Sequence, residues 1–114
     1  MRSKSPQDFA EYVPAKKQTL PKLTWQPLDS EELPQSQPAG DPLDVYFKND
    51  SEQPVVIYRI DAEGERHDYG TLERGWFKPY RASAGEVWLV TDKQARPLGY
   101  FKTGDESADA IIPR

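Results

Sequence analysis

From residue 43 onward, apolar and polar positions alternate in short runs that turn-forming residues interrupt every ~8–12 positions, the spacing of an all-β sandwich or barrel. Leu43, Val45 and Phe47 alternate with Asp44, Tyr46 and Lys48, which predicts a half-buried strand followed by a polar turn over Asn49–Gln53. Val55–Ile60 (VVIYRI) is rich in β-branched residues, and Asp61-Ala62-Glu63-Gly64 closes it with turn chemistry. Arg66–Leu72 reads as a short polar strand carrying Tyr69 and Leu72. Glu73-Arg74-Gly75 then leads into Trp76–Ala82, and Ser83-Ala84-Gly85 turns the chain again. Glu86–Thr91 is the clearest strand. Asp92–Arg96 reads as a hairpin loop before Leu98–Lys102, and Ala108–Ile112 is the last strand. No helix longer than a turn is needed. The expected fold is all-β, a small seven-to-eight-stranded β-sandwich with a proline-rich N-terminal extension.

Alternation also sorts the aromatic residues. Val87 and Leu89 share one face of their strand and Glu86, Trp88 and Val90 the other, which places Trp88 on a semi-exposed face. Trp76 and Phe77 are adjacent, so in a strand they point to opposite faces and at least one should meet solvent or a partner.

Residues 1–42 follow a different pattern. They hold seven of the 11 prolines but only one of the seven glycines, Gly40. Prolines so closely spaced interrupt helices and central strands. We therefore divide the chain into an extension, 1–42, and a sandwich domain, 43–114. Asp8–Val13 allows one helical turn with Phe9 and Tyr12 on a shared face. Leu20–Leu28 is extended in character and offers Trp25 for docking, either on the domain or on a partner. Leu33–Pro42 (LPQSQPAGDP) has no hydrophobic period and reads as a linker or strap.

Composition narrows the chemistry. Apolar residues make up 36% of the 114, below the usual ~45–50%, which suits one small core built around 13 aromatic side chains. A net charge of −4 counts against nucleic acid as a partner. Without cysteine there is no thiolate nucleophile or cysteine metal site, and a single His67 gives little basis for a histidine metal cluster or triad. Asp61, Glu63, Glu65 and Asp68 gather around Gly64, but their spacing does not fit a calcium loop, so they read as solvated turn acids. No phosphate loop or nucleophile motif is present, and we expect no catalysis, cofactor or metal. Met1-Arg2-Ser3-Lys4 is not followed by the apolar run of a signal peptide, and no stretch reaches the ~20 apolar residues of a membrane span. The expected compartment is cytoplasmic if the chain is whole, extracellular if a leader has been removed.

Residues 44–92 carry an ordered set of short motifs: VYFKN, PVVIYRID-x-x-G, YGTL-x-x-G and Y-x-x-x-x-G-x-x-W-L-V-x-D. This set resembles the von Hippel–Lindau tumour suppressor β-domain family, through Val45, Phe47, Asn49, Pro54, Val55, Gly64, Tyr69, Thr71, Leu72, Gly75, Gly85, Trp88, Leu89 and Asp92. The chain is similar in size to stand-alone, bacterial-type versions of that domain. It has no room after Phe101 for the helical domain that recruits a ubiquitin ligase, so the resemblance does not imply ligase function.

What the resemblance does imply is a groove for an extended protein segment, with a pocket for hydroxyproline. The pocket positions fall on Arg59, Tyr69, Ala82, Glu86 and Trp88. Tyr69 and Trp88 keep the family residues. Arg59, Ala82 and Glu86 replace a tryptophan, a serine and a histidine, so the hydrogen-bonding partners of the substrate hydroxyl are gone and hydroxyproline recognition is not expected. Arg59 and Glu86 are instead expected to pair across strands over Trp88, with Tyr69 completing the floor. The leading expectation is thus a non-catalytic protein- or peptide-binding module. The alternatives are an accessory domain with a vestigial pocket, and a carbohydrate-binding sandwich that stacks sugars on exposed aromatic rings.

Overall fold

The computed structural model describes residues 20–28, 34, 36 and 41–114. Eight strands run in chain order: β1 (Gln26–Pro27), β2 (Pro42–Asn49), β3 (Val55–Ile60), β4 (Arg66–Leu72), β5 (Phe77–Ser83), β6 (Val87–Thr91), β7 (Pro97–Lys102) and β8 (Ala108–Ile112). They form a five-stranded sheet, ordered β1-β7-β6-β3-β4, and a three-stranded sheet, ordered β5-β2-β8. The molecule is an all-β sandwich, without helices among the described residues. All seven expected strands occur, with ends displaced by a residue at most. Trp76 drops out of β5 because its amide closes a turn onto the Glu73 carbonyl at 2.9 Å. The proposed helical turn at Asp8–Val13 lies outside the described residues.

The sheets close on a core of Leu43, Val45 and Phe47 from β2, Val55 and Ile57 from β3, Trp88 and Val90 from β6, Phe101, Ala110 and Ile112. Phe47 sits at its centre, with the rings of Tyr80, Trp88 and Phe101 at 5.3, 5.7 and 5.8 Å. A second cluster, Ile60, Val87 and Leu89, lies on the other face of the five-stranded sheet beneath Leu28, Tyr58 and Tyr100. Both faces of β6 are therefore covered and all five of its residues are buried. This corrects the expected semi-exposed Trp88, whose exposure is 0%. Alternation sorted the β6 side chains correctly but could not show that both sides are roofed.

Side-chain hydrogen bonds fix the turns. Buried Asn49 donates to the carbonyls of Gln53 and Leu72 at 2.8 and 3.0 Å and accepts from the Ser51 amide at 2.9 Å. One oxygen of Asp92 accepts the Gln94 and Arg96 amides, each at 2.9 Å, holding a loop in which Ala95 takes a φ of 67°. Within Leu33–Pro42, Ser36 is buried. It accepts from the Val87 amide at 2.7 Å and donates to the Ile60 carbonyl, tying the strap to the ends of β6 and β3.

Trp25 docks on the sandwich itself. The Leu23 amide donates to the Asp109 carbonyl at 2.8 Å and the Asp109 amide to the Pro21 carbonyl at 2.9 Å, so the segment first runs parallel to β8. It then pairs antiparallel with β7, Gln26 opposite Tyr100 and Pro27 opposite Gly99. Between these attachments the Trp25 ring lies 5.3 Å from that of Phe101.

Candidate functional site

Four of the five expected site residues meet at one end of the sandwich, where β4 forms the outer strand of its sheet. Tyr69 stands on β4. The next residue, Gly70, takes a φ of 99°, and its amide donates to the Asp68 carboxylate at 2.7 Å, so the chain kinks just after the tyrosine. A side chain at Gly70 would meet the strain of left-handed backbone. The register of β4 on β3 also shifts between Val56 and Tyr58, a bulge beside the same place.

Beneath Tyr69 lies Trp88, edge-to-face with ring centroids 5.1 Å apart. Tyr80 from β5 stacks on the same indole at 5.6 Å and 16°, and meets Tyr69 edge-on at 5.9 Å. Such offset and edge contacts between aromatic rings are favourable beyond the area they bury. The indole N–H of Trp88 is buried with no hydrogen-bond partner among the described residues. Tyr80 is the member of this cluster that the sequence analysis left out of the site. Its signal was present in the inward alternation of Tyr80 and Ala82 along β5. Burial, with the nearby Asp68 charge adding to it, pushes the Tyr80 hydroxyl above its ordinary pKa.

Arg59 faces Trp88 across the β3–β6 ladder. Its Nε donates to the Tyr69 hydroxyl at 3.3 Å, and a terminal guanidinium nitrogen lies 3.8 Å from Glu86 Oε2. The expected ion pair is present, with side-chain exposures of 25% for Arg59 and 8% for Glu86. The hydrogen bond to Tyr69 raises the Arg59 pKa, burial opposes this, and Glu86 adds to the rise. Glu86 is positioned independently. Its other carboxylate oxygen accepts the Ser83 amide at 3.0 Å, and its own amide donates to the Thr103 hydroxyl at 2.8 Å.

Ala82 is buried in the inter-sheet core on β5, opposite Leu43. It offers no polar group there. Trp76 and Phe77 are both exposed, at 56% and 57%, and Phe77 stacks on Tyr46 at 5.7 Å on the outer side of the three-stranded sheet. In the acidic turn, Asp61 spends its carboxylate on the Glu63 and Glu65 amides at 2.9 and 2.8 Å and on His67 Nε2 at 2.8 Å. The bond to His67, then those to the two amides, hold its pKa below the ordinary carboxylate value. Among the described residues no three acidic or histidine side chains group closely enough to hold a metal ion.

Chemically, the site offers a polar, kinked strand edge with one half-exposed tyrosine over a sealed aromatic floor. An Arg–Glu pair closes one flank. Neither a scan against protein-family models nor a search of curated proteins returns a match for this chain.

Proposed function

We propose that the domain is a non-catalytic module that binds an extended protein segment along β4. The observation that carries this reading is the position of β4 at the end of its sheet with Tyr69, 39% exposed, standing on it. An outer strand presents backbone donors and acceptors to an incoming strand, and side-chain contacts beside it supply selectivity. The resemblance of residues 44–92 to the von Hippel–Lindau β domain supports the same mode of binding. Hydroxyproline does not suit the site, because Ala82 has no donor and Glu86 is engaged by Arg59 and the Ser83 amide.

A second reading, an accessory domain with a filled pocket, is favoured by the complete burial of Trp88 beneath Tyr69 and Tyr80. A phage-displayed library of random peptides, selected against the full chain, separates the two. Under the binding reading, the selected peptides slow amide exchange along Arg66–Leu72, and Tyr69→Ala weakens them about tenfold or more. Selected peptides that leave β4 unprotected, or a selection that yields none, would favour the accessory domain.

A further inference from the structure

The side of the sandwich away from β4 holds a second strand-binding surface, and there the ligand is already in place. Residues 21–28 pair with β8 through Leu23 and Pro21, and with β7 through Gln26, Pro27 and the Leu28 amide, which donates to the Leu98 carbonyl at 3.0 Å. Between the two ladders Trp25 fills a slot that only a glycine leaves open. A Cβ on Gly99 would overlap the indole carbons of Trp25. Leu23 and Leu98 pack on the same core, and the Phe101 ring faces the indole. One aromatic anchor between two short backbone ladders is the way folded domains recognise extended peptides.

The attachment is small, because β1 has only two residues. Ser36 is anchored on β6 and β3, so residues 29–35 are the connection to the segment, and seven residues reach at most about 25 Å when extended. Neither the contacts nor the connection requires the segment to come from the same molecule.

We propose that the β7–β8 cleft is an exchangeable strand-complementation site, which releases its own residues 20–28 and accepts the same segment from a second copy of the chain. At low concentration the tethered segment wins, since its effective concentration is of millimolar order. At high concentration, or when the resident segment is defective, the copy takes its place. The site lies on the opposite side from Tyr69, so it stands or falls independently of the function proposed above.

Two full-length variants test it by complementation. Gly99→Ala blocks the cleft and leaves the segment intact, whereas Trp25→Ala leaves the cleft open and removes the anchor. Mixed at equal concentration, they should form a one-to-one complex of twice the monomer mass by light scattering, and neither should form it alone. A mixture of two folded variants that keeps the monomer mass overturns the proposal. Should either variant fail to fold, the wild-type chain cut at a protease site inserted between Glu31 and Glu32 decides. A labelled N-terminal fragment should stay bound and then exchange with excess synthetic peptide 20–28, and a Trp25→Ala peptide should need about 30-fold more or worse. Loss of the fragment on cutting, or its retention without exchange until the sandwich unfolds, overturns the proposal.

Discussion

On the β7–β8 side the outer strands of both sheets are capped by residues 21–28, whereas on the opposite side β4 and β5 have no further strand beside them among the described residues. Uncapped strands invite aggregation unless their sequence discourages it. The covered side is apolar, with Leu23, Trp25 and Leu98 packed onto the core. The open side bears Arg66, His67 and Asp68, a bulge and a left-handed Gly70. Charges and kinks discourage edge-to-edge pairing along β4, whereas the apolar edge on the other side is covered by residues 21–28.

The largest effect expected is on the open side. If Trp88 were a platform waiting for a ligand, truncating it would cost little stability. Its burial against Phe47, Tyr69 and Tyr80 makes it part of the core instead. Trp88→Ala should therefore cost about 4 kcal/mol in urea denaturation. A cost below about 1 kcal/mol would mean that the indole floor is open. On the covered side, Trp25→Ala should cost about 2 kcal/mol, because the ring is only partly buried and the segment can detach without unfolding the sandwich. Amide exchange should show protection lost across residues 20–28 while β6 keeps its own.

Carboxylates in two turns carry the comparison into pH. Asp61 holds the β3–β4 turn of the open side and Asp92 the β6–β7 turn beside the covered one. Both pKa values are lowered, Asp61 chiefly by His67 and Asp92 chiefly by the Arg96 amide. A carboxylate with a depressed folded pKa stabilises fully above its unfolded value, about 3.9, and loses that contribution as pH falls through the folded value. Both turns should therefore loosen only below about pH 4. The exchange rates of Glu63, Glu65, Gln94 and Arg96 amides report it, and Asp61→Asn and Asp92→Asn should each flatten the response of their own turn. Loosening that begins near neutral pH would assign it to other groups.

The strands were legible because period-two alternation and Gly-rich turns are local signals. Trp88 shows where such signals stop. The sequence pattern says which β6 residues share a face, but the covers come from elsewhere, Tyr80 on one side and Leu28 on the other. Trp25 was readable as an apolar side chain seeking a partner. Its partner is a missing Cβ at Gly99, far along the chain, and an absent atom leaves no periodic trace. Arg59 and Glu86 came together in the reading only through the resemblance, since they are distant in sequence and differ from the residues that the family places there.

That pair is also where the smallest effect is expected. At 3.8 Å the charges are in range of one another but beyond a direct hydrogen bond, and Arg59 spends its better-placed donor on Tyr69. A partly exposed pair of this kind contributes about 0–1 kcal/mol. Exchanging the charges, Arg59→Glu with Glu86→Arg, should recover part of the stability lost in either single variant. Recovery will be incomplete, because the swap also removes the acceptor for the Ser83 amide and the donor to the Tyr69 hydroxyl. If the double variant is no more stable than the sum of the two single losses predicts, the charges are not coupled. The flank of the site is then closed by the hydrogen bonds of Arg59 and Glu86 to Tyr69 and Ser83 alone.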